Sequence, residues 1–133
     1  MMDKISINGD WPEIENKELE KLIAQEFWCE NKREDQANIL YIKVSGDWFR
    51  VYFDYEILFW RSGNNGLEDP KASRETDFGY PLIDWGKKLG IEGTVIKSVS
   101  ANRITGGAQI EFKFSNNKVF KVQSIDDYTT IKT

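Results

Sequence analysis

The sequence predicts an α+β domain, a mainly antiparallel β-sheet of about six strands packed against one N-terminal amphipathic helix, with a second short helix near residues 81–89. Three observations carry this expectation. Leu19, Leu22, Ile23 and Phe27 recur at helical spacing. Residues 94–123 divide into runs of strand character separated by turn residues. Between them, residues 48–61 carry an aromatic ring at about every second position, the period of a strand.

Each element has its own warrant. Residues 4–8 form a short opening strand, Asn8-Gly9-Asp10 a turn, and Pro12 carries the chain onward. Asn16 then serves as helix N-cap, with Glu18 and Glu20 in the first turn, where the macrodipole favours negative charge. The polar stretch 30–36 ends that helix, with Asn31-Lys32-Arg33 as its exit loop. A strand over 39–44 turns at Ser45-Gly46-Asp47 into the aromatic run, giving a hairpin. Residues 62–78 read as a long loop. Pro81 at N1 and Gly90 as the stop bound the second helix, with Leu82 and Trp85 or Leu89 facing inward, although Gly86 weakens it by about 1 kcal/mol relative to Ala.

The last third forms three strands, 94–104, 109–115 and 118–123, the first turning into the second at residues 105–108. A two-residue loop at Asn116-Asn117 would set Phe112 opposite Lys121. A three-residue loop including Ser115 instead sets Phe112 opposite Phe120 and Ile110 opposite Val122. The second register keeps one face apolar and is the one expected, with Asn117 in the left-handed region. Glu111, Lys113 and Lys121 then share the solvated face.

As one unbroken strand, the aromatic run has two rows. Phe49, Val51, Phe53, Tyr55, Ile57 and Phe59 form an apolar row; Trp48, Arg50, Tyr52, Asp54, Glu56, Leu58 and Trp60 form a mixed one. The alternative is a bulge or turn near Asp54-Tyr55, which scrambles the rows beyond it. Trp, Tyr and Arg among charges is the composition of a protein-contact surface. The candidate partner-binding residues are therefore Trp48, Tyr52, Asp54, Glu56 and Trp60.

Composition narrows the chemistry. The 133 residues suit a single domain, 1–133. There is no histidine, which removes Ser-His-Asp and Cys-His triads and His-containing zinc sites. The single Cys29 reads as a buried structural thiol, and Trp11, Trp28 and Trp85 as core pieces. Asp69, Glu75, Asp77 and Asp84 lack the spacing of a calcium loop, and neither Gly63–Gly66 nor Gly106-Gly107 has a phosphate-loop pattern. No catalytic residues and no cofactor are expected. The net charge of −4 is uneven, with ten acids against five bases in residues 1–36 and three against six in residues 94–133. An acidic N-terminal part suits a basic protein partner better than nucleic acid. No signal-like opening or membrane-length apolar run is evident, so a cytoplasmic location is expected, with no membrane partner.

The segment 110–122, Ile-Glu-Phe-Lys-Phe-Ser-Asn-Asn-Lys-Val-Phe-Lys-Val, followed by Asp126-Asp127-Tyr128, looks like the closing hairpin of many small bacterial domains. Among these are immunity proteins that accompany polymorphic and contact-dependent toxins of the Rhs and wall-associated types. The resemblance covers about a quarter of the chain, and Asn117 stands where such turns often have glycine. It implies a non-enzymatic protein that neutralises a cognate toxin C-terminal domain, a basic nuclease, by stoichiometric binding. The competing expectation is a small-ligand or carbohydrate-binding domain. Asp54 and Glu56, roughly 6–7 Å apart on a strand, would then act as a paired-carboxylate hydrolase at the base of a partly apolar cavity.

Overall fold

A computed structural model describes residues 5–63 and 78–133, and among these described residues two β-sheets face each other with no long helix against either. In chain order the elements are β1 (Ile7–Asn8), β2 (Leu19–Cys29), β3 (Lys32–Val44), β4 (Asp47–Asp54), β5 (Ile57–Ser62), β6 (Phe78–Gly79), β7 (Leu82–Asp84), α1 (Trp85–Lys88), β8 (Ile96–Ile104), β9 (Gly107–Phe114), β10 (Val119–Ile125) and β11 (Tyr128–Lys132). The first sheet runs β1-β5-β4-β3-β2-β6, with β7 also paired to β2; the second runs β11-β10-β9-β8.

The expected α+β class with an N-terminal amphipathic helix is therefore wrong. Residues 19–29 are a strand, and its irregularities explain the misleading pattern. Register shifts fall between Leu19 and Lys21, between Gln25 and Phe27, and between Phe27 and Trp28. A bulge inserts one residue, so inward positions two apart become three apart. Leu19 and Leu22, 1 % and 0 % exposed, both reach the core at what looks like helical spacing. Long pairing with β3 then supplies the backbone partners that a helix would have supplied internally.

The second expected helix shrinks to the four residues of α1. Leu82–Asp84 pair with β2 as β7, and Asp84 then caps α1 by accepting from the Lys87 amide at 3.1 Å. Gly86 stands 2.8 Å from the Glu92 side chain at the position of a would-be Cβ, so close packing favours glycine there. The strand expected at 39–44 begins at Lys32, and β11 adds a strand beyond the expected three. The expected loop at 62–78 and the acidic residues Asp69, Glu75 and Asp77 lie mostly outside the described residues.

The β9–β10 hairpin matches expectation closely, whereas the turn expected over 105–108 is only Thr105 and Gly106, with Gly107 and Ala108 already in β9. Phe120 pairs with Phe112 and Val122 with Ile110 across a Ser115-Asn116-Asn117 loop, with Asn117 at φ 68°. Glu111 accepts ion pairs from Lys121 at 3.5 Å and Lys113 at 3.9 Å on the outer face.

The sheets are joined along both sides. At one, the Leu19 amide donates to the Thr94 carbonyl and the Ile96 amide to the Lys17 carbonyl, both at 2.8 Å. At the other, β3 reaches β11 through side chains: Asp35 Oδ1 accepts from the Thr129 amide at 2.8 Å and Gln36 Oε1 from the Ile131 amide at 2.8 Å. The Ala37 amide returns a bond to Thr129 Oγ1. Between the sheets lie Leu22, Leu40, Ile42 and Leu58 from one side and Ile96, Ile110, Phe112 and Phe120 from the other, each 1 % exposed or less. Each such side chain contributes about 1.5–3 kcal/mol through burial.

Candidate functional site

The aromatic run is a hairpin. Tyr55 and Glu56, at φ 50° and 63°, form the two-residue loop between β4 and β5, as a type I′ turn requires. Val51 thus faces Trp60, and Tyr52 faces Phe59. The turn reverses parity: even-numbered residues of β5 share a face with odd-numbered residues of β4.

This divides the five sequence-derived candidates among three environments. Trp60 is 1 % exposed in the core, edge-on to Trp11 at 5.3 Å, and is corrected from contact residue to core residue. Trp48 and Tyr52 lie half-buried on the outer face of the first sheet. There Lys43 Nζ sits 5.7 Å from the Trp48 ring, Tyr52 stacks on Phe59 at 5.2 Å and 2° between planes, and the Arg61 guanidinium lies 5.3 Å from Phe59. Tyr41 and Arg50 are cross-strand neighbours on this face, and burial raises the Tyr41 phenol above its ordinary value while Arg50 pulls it down. Asp54 and Glu56 remain exposed at the hairpin tip.

Of the other tryptophans, Trp85 is buried, Trp28 half-buried and Trp11 exposed; Cys29 is half-buried. Trp28 Nε1 donates to Glu26 Oε1 at 2.8 Å, and Arg33 reaches the same carboxylate at 3.4 Å, which accounts for a carboxylate inside the structure.

The hairpin tip meets another. Asp126 and Asp127, at φ 53° and 64°, turn β10 into β11 beside Tyr55 and Glu56. Between the tips is a cleft of about 290 Å3 lined by Asp35, Asn38, Phe53, Asp54, Tyr55, Ser124, Asp127 and Thr129. A shallower depression of about 210 Å3 shares Tyr55, Ser124 and Asp127 and adds Glu56, Gly106 and Asp126. Gly107 packs against the strand that carries Ser124: a Cβ there would stand 1.8 Å from the Ser124 carbonyl oxygen, so the two strands approach this closely only with glycine.

Five carboxylates, Asp35, Asp54, Glu56, Asp126 and Asp127, thus surround one end of the sandwich. Glu56 meets Arg103 at 4.0 Å, and Asp35 accepts from Thr129; Asp54, Asp126 and Asp127 make no ion pair among the described residues. Tyr55 and Tyr128 project from the same end at 78 % and 54 % exposure. Sequence reasoning found Asp54 and Glu56 but not Asp35, Ser124, Asp126, Asp127 or Thr129. The Asp-Asp pair before Tyr128 was the available signal, since Asp tolerates positive φ better than most residues. Among the described residues no cluster of His, Cys, Asp and Glu is arranged to hold a metal, and no helix is long and apolar enough to cross a membrane.

Fold and site together define a two-sheet β domain with an acidic, tyrosine-tipped end. The chain matches no protein-family profile, and no curated protein or solved structure is significantly similar to it.

Proposed function

We propose that the protein is a non-enzymatic binding protein that neutralises a basic toxin domain by forming a stoichiometric complex through this acidic end. The observation that carries the reading is the ring of five carboxylates interrupted by two projecting tyrosines. Tyrosine supplies large contact area at low entropic cost, and unpaired carboxylates steer and orient a cationic surface. The proposal places this binding in the cytoplasm, and the acidic end disfavours nucleic acid and anionic membrane surfaces as partners.

The cleft beside Asp54 is the observation that favours a small-ligand site instead. Its walls are mainly polar, whereas small-ligand pockets are lined mostly by apolar groups, which favours the protein contact. The test is calorimetry of the full chain with the toxin C-terminal domain encoded immediately upstream. A 1:1 complex that blocks the toxin's activity is expected. Absence of a complex, or a complex unaffected by Asp54→Lys, would sink this assignment.

A further inference from the structure

Resting on that reading, we infer that the cleft between the two hairpin tips receives one guanidinium group, presented by an arginine side chain of the protein partner. Its polar lining is rich in unused acceptors. Asp35 spends Oδ1 on Thr129 and keeps Oδ2; Asn38 spends its amide nitrogen on Gln25 Oε1 at 2.8 Å and keeps its carbonyl oxygen. Asp54 and Asp127 add two carboxylates with no ion pair among the described residues.

Ser124 supplies an observation independent of the acids. It ends the inward-facing row of Phe120 and Val122, is 5 % exposed, and lines both depressions, yet its hydroxyl has no hydrogen-bond partner among the described residues. The rest of the side chain is enclosed, so a partner for its hydroxyl would come from the cleft side.

Shape and walls select the cation. A guanidinium presents five N–H donors and no acceptor, so a lining of oxygen acceptors satisfies it, and its fork engages carboxylates in pairs. Phe53 and Tyr55 provide aromatic walls against which a planar cation stacks, an arrangement less suited to an ammonium. The volume suits one side chain rather than a folded element of the partner.

The test is a 15N-resolved NMR titration of the full chain with N-acetyl-arginine amide, N-acetyl-lysine amide and the neutral isostere N-acetyl-citrulline amide. The arginine probe is expected to shift the amides of Tyr55, Ser124, Asp127 and Thr129 with saturation at roughly millimolar concentration, as a single side chain affords. Citrulline should leave them unmoved, and lysine should bind about tenfold more weakly. Asp54→Asn with Asp127→Asn should weaken the arginine probe about tenfold with spectral dispersion intact, and Ser124→Ala gives a second reading should the double variant unfold. Unsaturable shifts, equal response to citrulline, or unchanged affinity in both variants overturns the assignment. So does an arginine amide that binds as tightly as the toxin domain, since the side chain would then need no protein to present it. A toxin complex that forms while the arginine probe fails overturns the cleft alone; a probe that binds while no toxin complex forms overturns the proposed function.

Discussion

The outer face of the first sheet and the acidic end of the sandwich both carry aromatic rings among charges, yet they differ in what those groups already touch. On the face, Trp48 has Lys43, Tyr52 has Phe59, Phe59 has Arg61, and Tyr41 has Arg50 beside it. Arg61 also donates to Asn8 Oδ1 at 2.7 Å and to the Trp60 carbonyl at 2.8 Å. At the end, Tyr55 and Tyr128 have no ring partner and three carboxylates have no cation among the described residues. Composition alone therefore misdirects. A contact surface is better recognised by the interactions its groups have not yet made, because those already paired must lose a partner before gaining one.

The sharpest way to break this comparison is to reverse charge in one region and remove it in the other. Asp54→Lys with Asp127→Lys is expected to weaken the partner complex about a hundredfold or more, because like charges then oppose across the contact. Lys43→Ala with Arg50→Ala on the sheet face should change affinity by about twofold or less. Calorimetry of both pairs decides the matter, and the reverse ranking would move the contact to the sheet face.

A second variant asks whether the end depends on the close approach of β9 and β10. Gly107→Ala places a methyl group against the Ser124 backbone and is expected to destabilise the fold by about 2–3 kcal/mol. Denaturant unfolding measures this. An effect near zero would mean that the strands separate easily there and that the position of Ser124 does not depend on glycine at 107.

The same end holds conformational strain. Tyr55 and Glu56 both have positive φ, which costs non-glycine residues about 1–2 kcal/mol each. Asn-Gly is the pair such a turn favours. Tyr55→Asn with Glu56→Gly should therefore stabilise the fold by about 1 kcal/mol, read as a rise in melting temperature of a few degrees. It should also weaken the partner complex about tenfold by removing a projecting ring and a carboxylate. Stabilisation without loss of binding would show that the tip serves only as a turn.

These two regions were unequally legible in the sequence, for physical reasons. The register of β9 and β10 follows from strict alternation, since Phe112, Phe120, Ile110 and Val122 leave one arrangement with an apolar face. The strand β2 was misread because its bulges convert alternate burial into the spacing of Leu19 and Leu22. The strand β11 presents only Thr129 and Ile131 inward, and its amides are held by Asp35 and Gln36, more than ninety residues away in sequence. Such pairing leaves no local pattern. The cleft is harder still to read, because it draws Asp35, Asp54, Ser124 and Asp127 from three hairpins, two of these residues from the chain's net-basic final third. The Trp48–Trp60 run was legible as strand, with a break near Asp54-Tyr55 as the alternative that the structure bears out, although the I′ turn at Tyr55-Glu56 has neither the Asn nor the Gly that normally announces it.

The smallest expected effect concerns whether the face is as internally satisfied as its geometry implies. Burial raises the Tyr41 phenol and the neighbouring Arg50 charge opposes that rise. Arg50→Ala should therefore move the Tyr41 titration further up, visible by absorbance against a Tyr41→Phe reference. The sign of the linkage follows: a folded-state value above the unfolded one makes stability fall as pH rises through about 10, because the unfolded chain releases its phenolic proton first. Tyr41→Phe removes this alkaline loss, whereas Arg50→Ala deepens it. If Arg50→Ala leaves the titration unchanged, the guanidinium is turned away from Tyr41 and is free for an anionic partner, and the contrast between the satisfied face and the unsatisfied end narrows accordingly.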